Sequence, residues 1–171
     1  MITQAVSQQP EAFWQEEVER LFHTHYKFMY CAAKAVLGSS ADAEDVIQNL
    51  LLKFLQRELR PEFRANPKGY LYRAAVHESL NMLRSHKRRQ ESGEPDGFDI
   101  LDAASARAND NARDRLRHIF SELQPQYLEI VILHYEHGFS DADIGELLGT
   151  SRSTIASILS RARARLNKAL G

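Results

Sequence analysis

Between Gly138 and Leu170 the chain reads GFSDADIGELLGTSRSTIASILSRARARLNKAL, and this stretch leaves few choices of local structure. Ser140 suits a helix N-cap, and Asp143 three residues later completes a capping-box pattern. Ile144, Leu147 and Leu148 place one apolar face on the short helix that follows. Gly149 can take the positive φ that ends it. Ser151 caps a second helix, on which Ile155, Leu159, Ala162 and Leu166 recur at helical spacing. The opposite face carries Arg152, Ser153, Ser157, Ser160, Arg161 and Arg165, with no acid after Thr150. A short helix, a glycine turn and a longer basic helix is the outline of a helix-turn-helix. Cations suit phosphates, short polar side chains suit base edges, and a helix fits the major groove. Any helical hairpin with a glycine turn shares part of this pattern, and a basic helix can be merely solvated. The remainder of the chain has to separate these readings.

The charge pattern does part of that work. The formal net charge is −1, yet residues 60–90 carry eight basic and two acidic side chains and residues 151–171 carry five basic and none acidic. Residues 91–112 carry one basic and six acidic, and residues 113–150 three and seven. Two basic blocks separated by acidic sequence suggest two contacts with a polyanion. The single cysteine, Cys31, lies in an apolar helical run, so a disulfide framework is excluded and a reducing, cytoplasmic setting is expected. The N-terminal stretch has neither a basic start nor a long apolar run, so neither a signal peptide nor membrane insertion is expected.

Helical periodicity continues throughout, and an all-α fold of two small helical domains is predicted. Residues 11–37 form a long helix with Phe13, Val18, Leu21, Phe22, Tyr26, Met29, Tyr30, Ala33, Val36 and Leu37 near one face. After Gly38, Ser39 or Ser40 caps a second helix whose core face is Val46, Ile47, Leu50, Leu51, Phe54 and Leu55. Asp42, Glu44 and Asp45 crowd its start. There they favour the helix dipole, and they also form an exposed acidic patch. PEFRANPKG, residues 61–69, reads as a loop with two prolines and a glycine. From Gly69 a helix runs to Arg84 or beyond. Leu71, Ala74, Ala75, Leu80 and Leu83 point inward, while Tyr70, Tyr72, Arg73, His77, Asn81 and Arg84 lie on the other side, followed by Lys87 and Arg88. Rings beside cations suit single-stranded nucleic acid, whose bases stack and whose backbone needs neutralising. The alternative packs Tyr70 and Tyr72 in the core with only their hydroxyls wet. Residues 91–111 read as a flexible acidic linker, with Phe98, Ile100 and Leu101 able to dock it. Helices resume at Ala112. Leu116, Ile119, Phe120 and Leu123 form one stripe, a helix starts at Pro125, and the helix-turn-helix completes a C-terminal domain over 112–171.

Four motifs resemble one family. Asp42-Ala43-Glu44-Asp45-Val46-Ile47-Gln48 is similar to the DAED-(V/L)-(V/I)-Q signature of bacterial sigma factors. Tyr70 to Ala75, with Asn81 and Leu83-Arg84, resembles the WLYRIA…(D/N)xLR stretch. Leu123 to Tyr127 and Gly138 to Ile144 resemble LPPRY…G(L/F)SYxEIA, and Ser151 to Leu166 resembles SEGTVKSRLHRARARL. Order, spacing and length resemble the extracytoplasmic-function (ECF) group of alternative sigma factors, which keep the second and fourth sigma domains joined by a linker.

The resemblance implies an N-terminal domain over 11–90, a linker over 91–111 and a C-terminal domain over 112–171. It implies that Asp42, Glu44, Asp45 and Gln48 dock on the β′ clamp helices of core RNA polymerase. Arg64, Asn66, Tyr70, Tyr72, Arg73, His77, Asn81, Arg84, Lys87 and Arg88 would face the −10 promoter element, the loop at Phe63–Pro67 helping to capture it. Arg152, Ser153, Ser157, Ser160, Arg161 and Arg165 would face the −35 element. An anti-sigma factor is the further partner implied. Ala156 and Ile158 stand where the family usually has basic residues and Ser160 where a bulky His or Phe is common, which predicts an atypical promoter preference or reduced intrinsic affinity. Asn49, Tyr70 and His77 also depart from the usual Glu, Trp and Asn.

Other chemistries are not expected. His134 and His137 are three apart but lack further ligands at suitable spacing, so no metal site is predicted. No nucleophile elbow, P-loop or HExxH pattern occurs, and the chain is expected to direct an enzyme without being one or carrying a cofactor. Two other readings are a helix-turn-helix regulator acting without polymerase and a helical interaction protein that does not bind DNA.

Overall fold

The structure is a computed structural model that describes residues 9–57, 60–93 and 110–170, all of whose regular elements are helices. They are α1 (Gln9–Leu37), α2 (Ser40–Leu55), α3 (Pro61–Ala65), α4 (Pro67–Glu91), α5 (Asp110–Glu122), α6 (Pro125–Tyr135), α7 (Asp141–Leu148) and α8 (Arg152–Leu170). Most of the expected linker, with Phe98, Ile100 and Leu101, lies outside the described residues.

Helices α1, α2 and α4 pack on one another. Val18, Phe22, Met29, Ala33 and Val36 of α1 are buried with Val46, Ile47 and Leu50 of α2 and Leu71, Ala75 and Leu80 of α4. Fully burying one such leucine, isoleucine or phenylalanine contributes on the order of 1.5–3 kcal/mol. The Ser39 side chain caps α2 by accepting from the Asp42 amide at 3.2 Å.

The stretch expected as a loop at 61–69 is instead a short helix running directly into a long one. Both prolines stand in a first turn, where a missing N–H costs nothing and the fixed φ is already helical. Phe63, 1% exposed, pins α3 against Phe54, with ring centroids 5.4 Å apart. Asn66 then caps α4, its Oδ1 accepting from the Gly69 amide at 3.0 Å.

In the C-terminal half α6 is central. Residues 127–133 of α6 are all buried, without the polar face that a surface helix would show. Ile144 and Leu148 of α7 and Ile155, Leu159 and Ala162 of α8 cover one side of this half, and Ile119 and Leu123 close its end. The helix-turn-helix forms as the sequence predicts. Ser140 and Asp143 make a reciprocal capping box, and Gly149 ends α7 at φ +67°. Gly145 lets the turn close: a Cβ there would lie 2.7 Å from the Thr150 carbonyl oxygen.

The two halves share a continuous core, and α4 is the seam. It packs on α1, α2 and α3 and also on α5, α6 and α7. Its buried positions include Tyr72, Val76, Ser79 and Leu83 as well as Leu71, Ala75 and Leu80, a band too wide for a helix with one covered face. Tyr72, expected on the outer side of α4, is therefore 0% exposed, and Ala74, expected inside, is only half-buried.

Candidate nucleic-acid interface

The four residues expected to meet polymerase share the outer surface of α2. Glu44, Asp45 and Gln48 are exposed and Asp42 is half-buried in the first turn. Leu52 continues the same surface four residues beyond Gln48 and is 56% exposed. Sequence reasoning passed over Leu52. The signal was available, since it is an apolar residue off the buried stripe of α2 and seven positions from Asp45.

The outward surface of α8 carries all six residues expected at the −35 element. Arg152, Ser153, Ser157, Ser160, Arg161 and Arg165 are exposed. Ser153, Thr154, Ser157, Ile158 and Arg161 line a shallow hollow whose other wall is Gln126 and Tyr127 at the start of α6. Arg165 lies 5.4 Å from the centroid of the Tyr127 ring. Arg163 faces elsewhere, its Nε donating to the Tyr135 hydroxyl at 2.6 Å. Ala156 is exposed on this helix, Ser160 likewise, and Ile158 is half-buried. Thr154 and Gln126 were not singled out from sequence.

The residues expected at the −10 element are disposed differently. Arg64, Arg73, His77, Asn81 and Arg88 are exposed. Tyr70 is half-buried and edge-on to Phe54 and Phe63, at 5.9 and 5.6 Å. Arg73 and His77, together with Asn66, Tyr72, Arg84 and Lys87, reach into the C-terminal half. Tyr72 donates its hydroxyl to the Glu129 carbonyl at 2.8 Å. Burial, and then the nearby Glu129 carboxylate, push this phenol well above its usual range, so it remains a donor. His77 Nε2 lies 2.6 Å from one Glu129 carboxylate oxygen and Arg73 Nε 3.7 Å from the other. Arg73 also donates to the Leu148 carbonyl. Asn66 Nδ2 donates to the Leu147 carbonyl at 2.8 Å. Arg84 donates to the Ser121 and Leu123 carbonyls, each at 3.1 Å, and Lys87 pairs with Glu122 at 2.6 Å. That contact holds the Glu122 carboxyl below the usual carboxylate range.

An aromatic cluster closes the seam beside these bonds. Phe28 of α1 lies 5.0 Å from Tyr72, 4.7 Å from His137 and 5.9 Å from Phe139 by ring centroids. The Lys68 ammonium stands 5.0 Å from the Phe28 centroid and 5.5 Å from that of Phe139. Burial lowers the His137 pKa, the Glu136 carboxylate opposes that shift and Lys68 reinforces it. Among the described residues no group of three or more His, Cys, Asp or Glu side chains could hold a metal ion.

Two separate surfaces, one on α4 and one on α8, thus carry cations and short polar groups, with an acidic helix start beyond them. Comparison with known proteins shows the family. Residues 21–89 match Sigma-70 region 2 and residues 113–166 match Sigma-70, region 4. With both regions present in order, the chain belongs to the sigma-70 family, in its ECF branch. It is 26% identical over 153 residues to the ECF RNA polymerase sigma factor SigM of Mycobacterium tuberculosis, covering 90% of this chain and 76% of that one. To the RNA polymerase sigma-E factor of Streptomyces coelicolor it is 25% identical over 154 residues, covering 90% and 86%. Among solved structures it is similar to the sigma factor RpoE of Bartonella quintana, crystallised with the anti-sigma factor NepR. The identity is 25%, the coverage 91% of this chain and 97% of that one, and the TM-score 0.49.

Proposed function

We propose that this sigma factor binds core RNA polymerase through the outer surface of α2 and directs it to promoters read by α4 and α8. In this reading residues 11–90 form the polymerase- and −10-binding domain and residues 112–171 the −35-binding domain. Asp42, Glu44, Asp45 and Gln48 contact the β′ clamp helices, with Leu52 as an apolar anchor among them. α8 enters the major groove at the −35 element. There Arg152, Arg161 and Arg165 neutralise phosphates while Ser153, Ser157 and Ser160 face base edges. Tyr70, Arg73, His77 and their neighbours on α4 take the opened −10 strand, offsetting unstacking of a few kcal/mol, roughly, by charge and ring contacts.

The observation that carries the reading is a capped helix-turn-helix whose second helix leaves its basic, serine-rich side exposed, joined in one chain to an exposed acidic helix start. The chain confers promoter choice on an enzyme and catalyses nothing itself. An anti-sigma factor is the remaining partner in this reading, and the setting is the cytoplasm. No described helix is long and apolar enough to cross a membrane.

Run-off transcription with core polymerase over a library of promoter fragments tests the proposal. The chain should give discrete start sites, and reversing the charges at Asp42, Glu44 and Asp45 should abolish them. Unchanged promoter-directed RNA synthesis by that variant would refute the role of α2. A DNA-bound homodimer indifferent to polymerase would favour a regulator of another kind.

A further inference from the structure

Along one flank of α8 the basic surface continues onto α6. Thr154 and Ile158, one helical turn apart, form with Ser157 and Arg161 one wall of the shallow hollow, and Gln126 and Tyr127 form the other. None of the described residues lining it is acidic. Gln126 is exposed, and its Nε2 donates to Gln124 Oε1 at 3.0 Å. A side-chain amide carries two N–H donors, so a second remains for a ligand. Ile158 is half-buried and gives the hollow an apolar floor. Arg165, four residues beyond Arg161 and so on the same face, stacks on Tyr127 with its guanidinium 5.4 Å from the ring centroid. Stacking leaves the N–H groups at the edge of a guanidinium free to donate in its plane.

The shape of the hollow narrows what could occupy it. A small molecule needs a pocket that encloses most of its surface, whereas this hollow is shallow and suits a chain that runs across it. A deoxyribose-phosphate strand alternates an apolar sugar with an anionic phosphate. The hollow offers the matching pair, an isoleucine floor beside arginine, hydroxyl and amide donors. The width of duplex DNA supplies the strand. A helix with its side chains is about 10–12 Å across and the major groove about 12 Å wide, so the two backbones run against the flanks of a helix that lies in it. Ser157 and Arg161 belong both to the hollow and to the expected −35 surface, so the two are continuous.

Resting on the proposed role of α8 at the −35 element, we infer that this hollow seats one backbone strand of the −35 duplex. Gln126 touches that strand from α6, and Tyr127 is a positioning residue that holds Arg165 toward a phosphate. The −35 contact is therefore made by two helices. The position of Ile158, apolar in this chain, takes a sugar and leaves the phosphates to Arg161 and Arg165.

The test uses the full-length chain and a fluorescent DNA duplex of mixed sequence, because backbone contacts carry no sequence information. Anisotropy gives the affinity between about 50 and 200 mM salt. Gln126→Lys places a cation at the hollow, and Gln15→Lys adds the same charge at an exposed position of α1. The inference expects Gln126→Lys to bind roughly threefold or more tightly at the lower salt and to steepen the salt slope by about one. Gln126→Glu should weaken binding by a similar factor, and Gln15→Lys should leave the slope as it was. Tyr127→Leu keeps this buried position apolar but removes the ring under Arg165. It should weaken binding severalfold, Tyr127→Phe should not, and Tyr127→Leu should have no further effect in an Arg165→Ala chain. Equal weakening with and without Arg165 would overturn the positioning role of Tyr127. Unchanged affinity and slope for both Gln126 variants, or the same gain from Gln15→Lys, would overturn the seat itself. Arg152→Ala lies on α8 outside the hollow and separates the two levels. If it weakens binding while the Gln126 variants are silent, the hollow alone falls. If no variant on α6 or α8 changes duplex binding, the proposed −35 role of α8 falls with it.

Discussion

Nε2 of His77 and a carboxylate oxygen of Glu129 lie 2.6 Å apart although 52 residues separate them in the chain. One sits on the helix expected to hold the −10 strand, the other inside the helix on which α8 packs. The contact makes the two halves one mechanical unit. Perturbations placed at the seam should therefore be felt in both.

Tyr72 gives the most direct measure of that coupling. Tyr72→Phe deletes the hydroxyl that donates to the Glu129 carbonyl and leaves the ring in place among Phe28 and His137. A net loss of roughly 1 kcal/mol is expected for one such buried hydrogen bond. Urea unfolding followed by circular dichroism checks this. An unchanged midpoint would mean that the hydroxyl bond contributes nothing to stability.

Gly69 offers a case in which helix propensity and packing predict opposite signs. Inside a helix, alanine in place of glycine is favoured by about 1 kcal/mol. A Cβ at Gly69 would however lie 2.5 Å from the Leu147 carbonyl oxygen and 2.6 Å from Asn66 Nδ2. The first of these is backbone and yields only if α7 moves away. Gly69→Ala should thus destabilise the fold by about 1–3 kcal/mol, the usual cost of overpacking. A raised melting temperature would show that the approach of α4 to α7 is looser than described.

Acid should loosen the seam through His137. Its folded pKa is held below the ordinary 6.5, chiefly by burial among Phe28, Tyr72 and Phe139. The unfolded chain then binds more protons between the two values, so stability rises with pH in that window. The contribution is complete above 6.5 and is lost as the pH falls from there through the lower folded value. His25, also lowered by burial and by Lys68, acts in the same direction. Melting temperatures across pH 5 to 8 should show this loss, and His137→Phe should flatten the part that belongs to His137.

On α8 the departures from the family pattern can be read as phosphate arithmetic. Arg161→Ala should weaken binding to −35 duplexes of any sequence and reduce the salt slope by about one. Ala156→Lys, which adds a cation at an exposed position of the same helix, should do the reverse. Affinities measured between low and moderate salt decide both. An unchanged slope for both variants would place the duplex on another surface.

Much of the fold follows from local chemistry that can be read residue by residue. The capping box of Ser140 and Asp143, the left-handed Gly149 and the one-sided stripes of α2, α7 and α8 are properties of a few consecutive residues, which is why periodicity and capping find them. Phe63 shows where that reading fails. PEFRANPKG has the composition of a loop, yet its first five residues form a helix that buries Phe63 against Phe54. The surface residues of α8 were legible for a similar reason, since only the apolar stripe of that helix is covered by its neighbours.

The sequence alone determined an all-helical chain, its helix-turn-helix, its segregated charge and an acidic helix start, because each depends on residues close together. Tertiary structure alone decided that α4 has two covered sides, that Tyr72 is inside and that Arg73, His77 and Arg84 contact the C-terminal half. Two hints were present: residues 127–133 of α6 are apolar except for Glu129, and the basic block at 60–90 has an acidic counterpart at 113–150. Neither names its partner, because charge and apolar area set how strongly surfaces attract, while the pairing of His77 with Glu129 depends on how two helices distant in sequence are laid side by side.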